Sequence, residues 1–252
     1  MKRSYTDFIK ELAITDFKLR YNNSILGYLW SLLNPLILFG TLYVVFSVLI
    51  KLDIPNYKLY LLLGIIFWQY VIESTSGGMQ SVLSKVGLIQ KINFPRAYII
   101  FAHSITATIT LFLNLIIFFL FYLLSDVKMG YSILLFPLFI IFLYFLSLGL
   151  AFALSAFYVR FRDIHHIWQI TSQIWFWFTP IVYTSSIIPK KYFFMVYLNP
   201  LARIIEYSRH ILLFNTIPSL KQILNTFLFC LLIFIFGFLI FKKMSRTFAE
   251  DA

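Results

Sequence analysis

IWFWFTPIVY (174–183) sets four aromatic residues in a row, then a proline, in a stretch without charge. One or two rings suffice to anchor a helix at the water boundary of a bilayer. Four consecutive helical residues point around roughly 300°. Trp175, Phe176, Trp177 and Phe178 therefore cannot all face lipid from one side of a helix. At least one should face protein or a passage through it. Pro180 cannot donate to the carbonyl of Phe176, so a helix running through this stretch should kink or unwind there.

The surrounding chain makes a membrane setting unavoidable. Of 252 residues, 61% are hydrophobic and 12% are charged, with a mean hydropathy of +0.86. Soluble domains carry about 25% charged residues. The fold class expected is an all-α polytopic membrane protein in one domain over 1–252. Six spans are read at roughly 32–50, 59–82, 97–124, 133–158, 167–188 and 222–241, with the quoted stretch inside the fifth. Only helices satisfy all their backbone groups within one segment in lipid, and a β-barrel would need short alternating runs. MKRSYTDFIKELAITDFKLRY, with its scattered charges, lacks the apolar run of a cleavable signal peptide.

Six spans put both termini on one side. That face, comprising 1–31, 83–96, 159–166 and 242–252, collects the larger share of the 21 basic residues. The positive-inside rule then places both termini in the cytoplasm. The net charge of +11 is spread over the loops, which favours anionic lipid headgroups over nucleic acid as its partner. Cys230 is the only cysteine, so neither an intrachain disulfide nor a cysteine metal cluster is expected.

Two segments outside the spans carry pattern. Residues 1–31 begin with an amphipathic helix: Ser4 and Asp7 form a variant capping box, and Tyr5, Phe8, Ile9, Leu12, Ala13 and Phe17 fall on one face. It reads as an interfacial helix on the cytoplasmic side, the alternative being a helix packed on its own protein. Asn34-Pro35 reads as the start of the first span. The 189–221 connection is too apolar for a plain loop and too charged for a span. Asn199-Pro200 divides it into short amphipathic pieces, read as re-entrant or interfacial helices on the outer face.

Chemistry-bearing residues are few. There is no phosphate-loop motif, no H-E-x-x-H and no G-x-S-x-G. No catalytic residue and no metal site is expected, and Gly77-Gly78 reads as a flexible or close-packing point. Glu73 is the one acid well inside a span; it should face an aqueous cavity or a partner, or lie near the boundary and reach headgroups. His165-His166 cannot share a metal on a helix, and His103 reads as a helix–helix hydrogen bond. Tyr43, Trp68, Tyr70, Glu73, Trp175, Phe176, Trp177, Phe178 and Tyr183 are the candidates to line a path. Flat rings with polar tips suit sugars, whose C–H faces stack while their hydroxyls hydrogen-bond. Pro180, Asn199 and Pro200 are candidate gate or kink positions.

Four segments in order carry a resemblance: DFKLRYNNSILGYLWSLLNPL (16–36), GLIQKINFPRAYII (87–100), VRFRDIHHIWQI (159–170) and YLNPLARIIEYSRHILL (197–213). Together they make the chain similar to the membrane subunits of bacterial polysaccharide ABC exporters of the O-antigen or teichoic-acid type. The resemblance implies a homodimer in the cytoplasmic membrane, paired with two copies of a separate ATPase that binds ATP and Mg. No cofactor is implied in this chain. Lipid-linked polysaccharide would pass through a channel between the two permeases. Spans one and five would form its lateral opening, the rings at 175–178 would line it, and 187–213 would close its outer mouth. Asn93, Phe94, Pro95 and Arg96, with Lys85 and Lys91 nearby, would contact the ATPase. Tyr-Val-Arg-Phe-Arg-Asp stands where the family has a tighter Tyr-Arg-Asp, leaving Arg160 and Arg162 as alternatives for the family arginine. The rival readings are an exporter of a small lipid or drug, a membrane enzyme acting on lipid-linked sugars, and an ATPase-free channel.

Overall fold

The computed structural model describes residues 5–20, 27, 29–87 and 94–245, and among them every regular element is helical. In chain order these are α1 (Tyr5–Arg20), α2 (Leu29–Leu49, π-helical from Val44), α3 (Tyr57–Ser84), α4 (Ala97–Leu123), α5 (Phe136–Arg160), α6 (Ile164–Phe178), α7 (Phe193–Leu198), α8 (Pro200–Leu213) and α9 (Leu220–Met244). Short 3-10 turns at Tyr131–Leu135, Ser185–Ile187 and Lys190–Tyr192 join them. Among the described residues, five helices are long and apolar enough to cross a membrane: α2, α3, α4, α5 with its leading turn, and α9. Their limits fall within a turn of those expected.

The fifth expected span departs from the pattern. Instead of one helix over 167–188, α6 has 15 residues and ends at Phe178. At 1.5 Å per residue it is about 22 Å long, short of the roughly 30 Å hydrocarbon core. The reason is local. Pro180 removes a donor, and the carbonyls exposed by the break are met from elsewhere. Thr179 Oγ1 donates to Trp175 O (2.8 Å) and Tyr183 Oη to Trp177 O (2.7 Å).

Beyond α6, residues 179–182 are unwound yet buried. Non-helical backbone at such depth is tolerated only when its polar groups find partners. Arg209 of α8 supplies two of them. Its Nη1 donates to Pro180 O (2.6 Å), its Nη2 to Ile181 O (2.8 Å), and Nε and Nη2 both reach Tyr60 O. Tyr57 Oη donates to Val182 O and Tyr60 Oη to Tyr183 O, each at 3.0 Å. The guanidinium carbon lies 3.4 Å from the centre of the Tyr60 ring, and Arg209 is only 2% exposed. Gly64 makes the room: a Cβ there would stand 2.6 Å from Arg209 Nη2.

α3 is the central element, packed against α2, α4, α5, α6 and α8. α5 and α9 run in backbone contact, because a Cβ on Gly237 would run into the Gly149 carbonyl. Without a hydrophobic drive between helices in lipid, such small-residue contacts supply the close packing. The Gly77-Gly78 reading as a close-packing point holds as well: a Cβ on Gly77 would enter the His103 ring, and one on Gly78 would lie 2.9 Å from the Ala151 Cβ.

Two further expectations need correction. Pro35 does not open the first span but lies inside α2. The Ser31 carbonyl, which it cannot reach as a donor, accepts from Asn114 Nδ2 of α4 (3.3 Å). Arg203 and Arg209, part of the charge that made the 189–221 connection read as too charged for a span, are both buried. Within the connection read as re-entrant or interfacial, α8 is covered by protein: nearly all its residues are buried, packed on α3, α5 and α9. Asn199 caps it, accepting from Leu201 N and Ala202 N.

Candidate functional site

The four consecutive rings divide as helix geometry requires. Trp175 and Phe176 turn inward and meet Trp68 of α3 edge to face, at centroid distances of 5.5 and 5.3 Å. Trp177 and Phe178 point outward, 56% and 55% exposed. Tyr183 is half-buried beyond the break. Tyr43 of α2 stacks between Phe39 and Tyr57, with Lys58 Nζ 5.8 Å from its ring. Among the described residues, the aromatic path candidates of α2, α3 and α6 thus fall on neighbouring surfaces.

A polar cleft lies elsewhere on α3. Its first lobe, about 230 Å³, is bounded by Trp30, Ser31 and Asn34 of α2, Gln69, Tyr70 and Glu73 of α3, and Thr110 and Asn114 of α4. Its second lobe, about 550 Å³, continues along α3 past Ser76, Gly77 and Gln80 to Lys85, with His103 and Thr106 on the α4 side. The two share Asn34, Gln69 and Glu73. Tyr70 Oη is engaged with Thr108 Oγ1 (3.3 Å), and the His103 ring lies 3.3 Å from the Glu73 carbonyl. His103 therefore has the helix–helix role expected of it, and Glu73 faces a cavity. Gln80 Nε2 lies 3.4 Å from His165 Nδ1 at the start of α6.

Sequence reasoning named Glu73 and Tyr70 but missed the rest of this cleft. The signal was present: Gln69, Glu73, Ser76 and Gln80 recur at helical spacing in an otherwise apolar span. It also missed Arg209. Burial pulls that guanidinium below its ordinary value while Tyr60 and Glu206 act the other way, and arginine keeps its proton in proteins. Arg203 is held between the Tyr197 and Phe229 rings, at 4.0 and 4.7 Å from their centres.

At the opposite end of α3, Lys85 is half-buried, Phe94 is partly packed against the Val82–Ile99–Phe152 cluster, and Pro95 is exposed. Pro95 O accepts from Tyr98 N, so the Phe-Pro-Arg turn starts α4. Lys91 and Asn93 lie outside the described residues, as do the Ser4–Asp7 capping box and the Tyr5, Phe8 and Phe17 side chains. The described part of α1 packs on α4, with Thr106 Oγ1 donating to Ala13 O (3.3 Å), while Lys10, Glu11 and Lys18 are exposed.

Residues 8–213 match the family model described as ABC-2 type transporter. The chain belongs to that family. Among curated proteins, this ABC-2 family member is 28% identical to the O-antigen export system permease protein RfbA of Klebsiella pneumoniae. That alignment covers 97% of this chain and 94% of the relative. It is 25% identical to the RfbA permease of Myxococcus xanthus, over 98% of this chain and 96% of that protein.

Proposed function

We propose that this chain is the transmembrane subunit of an ABC exporter that carries lipid-linked polysaccharide of the O-antigen or teichoic-acid type across the bacterial cytoplasmic membrane. The carrying observation is the ring face of α6, half packed on Trp68 and half open, in a chain that aligns almost end to end with O-antigen export permeases. Two copies would meet so that Trp177 and Phe178 line the passage between them, with Tyr43 on the adjoining α2 surface. Stacking on such rings tolerates many sugars, as a passage for a long glycan requires.

Both termini are cytoplasmic in this reading. With Arg203 and Arg209 buried, only Lys51, Lys58, Lys128, Lys190, Lys191 and Lys221 remain as basic residues of the outer face, which supports that orientation. Energy comes from a separate ATPase, in two copies, that binds ATP and Mg. It docks on α1 and on the turn holding Lys85, Lys91, Asn93, Phe94, Pro95 and Arg96. Of the described residues among these, Pro95 is exposed while Lys85, Phe94 and Arg96 are half-buried. Within 187–213, the exposed part up to Leu198 is free to act as an outer gate around Asn199-Pro200 and the Pro180 break, while α8 is held in the core.

Purification from the native membrane in mild detergent tests the reading. A nucleotide-binding subunit should co-purify in stoichiometric amount, and Phe94→Ala and Pro95→Ala should lose it while still inserting and extracting. A clean homodimer that recovers no such subunit under any mild condition would overturn the exporter assignment.

A further inference from the structure

The cleft between α2, α3 and α4 is separate from the ring face. At 3.6 residues per turn, Gln69, Glu73, Ser76 and Gln80 project within about 60° of one another, and Trp68, which meets the α6 rings, points roughly 110° away from them. The chain therefore presents two different surfaces from one helix. One is aromatic and directed at α6, and the other is polar and directed between α2 and α4.

The lining restricts what can occupy it. Amides and hydroxyls are the most frequent groups among the described lining residues, beside the apolar Ile66, Leu111 and Ile72, with Glu73 the only carboxylate among them and Lys85 at the end of the larger lobe. An acyl chain would strip water from these groups without replacing its hydrogen bonds, an unfavourable exchange. A hydroxyl-rich neutral ring escapes that objection. Asn and Gln side chains both donate and accept, and a carboxylate accepts from two hydroxyls at once, matching the mixed character of sugar hydroxyls. Trp30, 48% exposed, gives the mouth of the smaller lobe a flat apolar face beside the polar floor. The larger lobe, at about 550 Å³, falls within the roughly 300–1,000 Å³ range of small-molecule sites.

We propose that this cleft is a glycan-binding subsite within a single protomer. It takes one or a few neutral sugar residues by hydrogen bonds with Asn34, Gln69 and Gln80 and by donation from sugar hydroxyls to Glu73. The proposal rests on the export reading above and deepens it: the rings of α6 let sugar slide, and the polar face of α3 holds it. Glu73, placed where both lobes meet, positions the sugar.

The test is site-specific photo-cross-linking in cells that make their own surface polysaccharide, with the full chain expressed beside its ATPase. Benzoylphenylalanine is placed at Gln69 or Gln80 in the cleft, at Trp177 on the ring face, and at Ile116 on an exposed apolar face of α4. Gln80 is exposed and accepts the larger side chain without disturbing the core. Adducts on the purified chain are stained for carbohydrate after periodate oxidation. Carbohydrate adducts are expected at Gln69 and Gln80 and absent at Ile116. In the Gln80 background, Glu73→Leu should cut adduct yield about tenfold while Glu73→Gln, which keeps a hydrogen-bonding carbonyl, should retain most of it. Carbohydrate at Trp177 with none at Gln69 or Gln80 would overturn the subsite and leave the export reading standing. Adducts at Gln69 and Gln80 that contain lipid but no carbohydrate would overturn it as well, making the cleft a lipid groove. If no position captures carbohydrate, the subsite falls; if deleting the gene also leaves surface polysaccharide unchanged, the export reading falls with it.

Discussion

α2 and α3 are both apolar helices long enough to cross a bilayer, yet 78% of the most apolar stretch of α3 is buried against 6% of that of α2. The buried one is the less apolar: of the five long helices α3 has the lowest mean hydropathy, and it carries Gln69, Glu73, Thr75 and Gln80. In water the order would be reversed. In a bilayer the lipid tails solvate a leucine face as well as another helix does, so apolar character does not pull a helix inward. Polar groups do, because they find partners or water only within the protein. α3 is central because it is the helix that lipid tolerates least. α2 is left open to lipid or to a second copy.

The largest blow to that contrast should come from Arg209→Ala. It would strip partners from the carbonyls of Tyr60, Pro180 and Ile181, at about 1–3 kcal/mol for each buried group left unsatisfied. The variant should lose its monodisperse peak in mild detergent at temperatures the native protein survives. Arg209→Lys should not restore it, since a lysine ammonium lacks the planar fork that serves three carbonyls. An unchanged melting temperature would mean that α8 does not lock α3 to the unwound segment.

A smaller effect is expected for Tyr60→Phe, which removes one hydrogen bond to the Tyr183 carbonyl and keeps the ring against Arg209. A loss of about 0.5–1.5 kcal/mol is expected, read as a modest drop in melting temperature by size-exclusion after heating. Smallest of all should be Val48→Ala on the exposed end of α2, within about 0.5 kcal/mol. If Val48→Ala instead destabilises the purified protein as much as Tyr60→Phe, a second copy covers α2 in solution, which sharpens the comparison into a statement about the dimer.

Legibility in the sequence followed the physics of each element. The long helices were readable because length and continuous apolar character suffice to specify a crossing. The division of the four rings was readable because 100° per residue allows no other outcome. Glu73 was readable because a lone acid in an apolar run stands out. The polar stripe on α3 was present at helical spacing but hidden among Ile, Val and Phe. Arg209 was missed because its neighbours in sequence are charged and polar, while its partners, Tyr60, Pro180 and Ile181, come from segments far away along the chain.

By itself, then, the sequence determined that this is a helical membrane protein, where its long apolar helices run, and that Pro180 must interrupt the fifth. Those are local consequences of hydropathy, helical period and a missing N–H. Only the tertiary structure decided how the interruption is tolerated, which span lies at the centre, and where a polar cleft opens. Each of these depends on donors and acceptors meeting across distant segments, as Arg209 does with residues 180 and 181 and Asn114 with Ser31, and no local pattern in the chain encodes such a meeting.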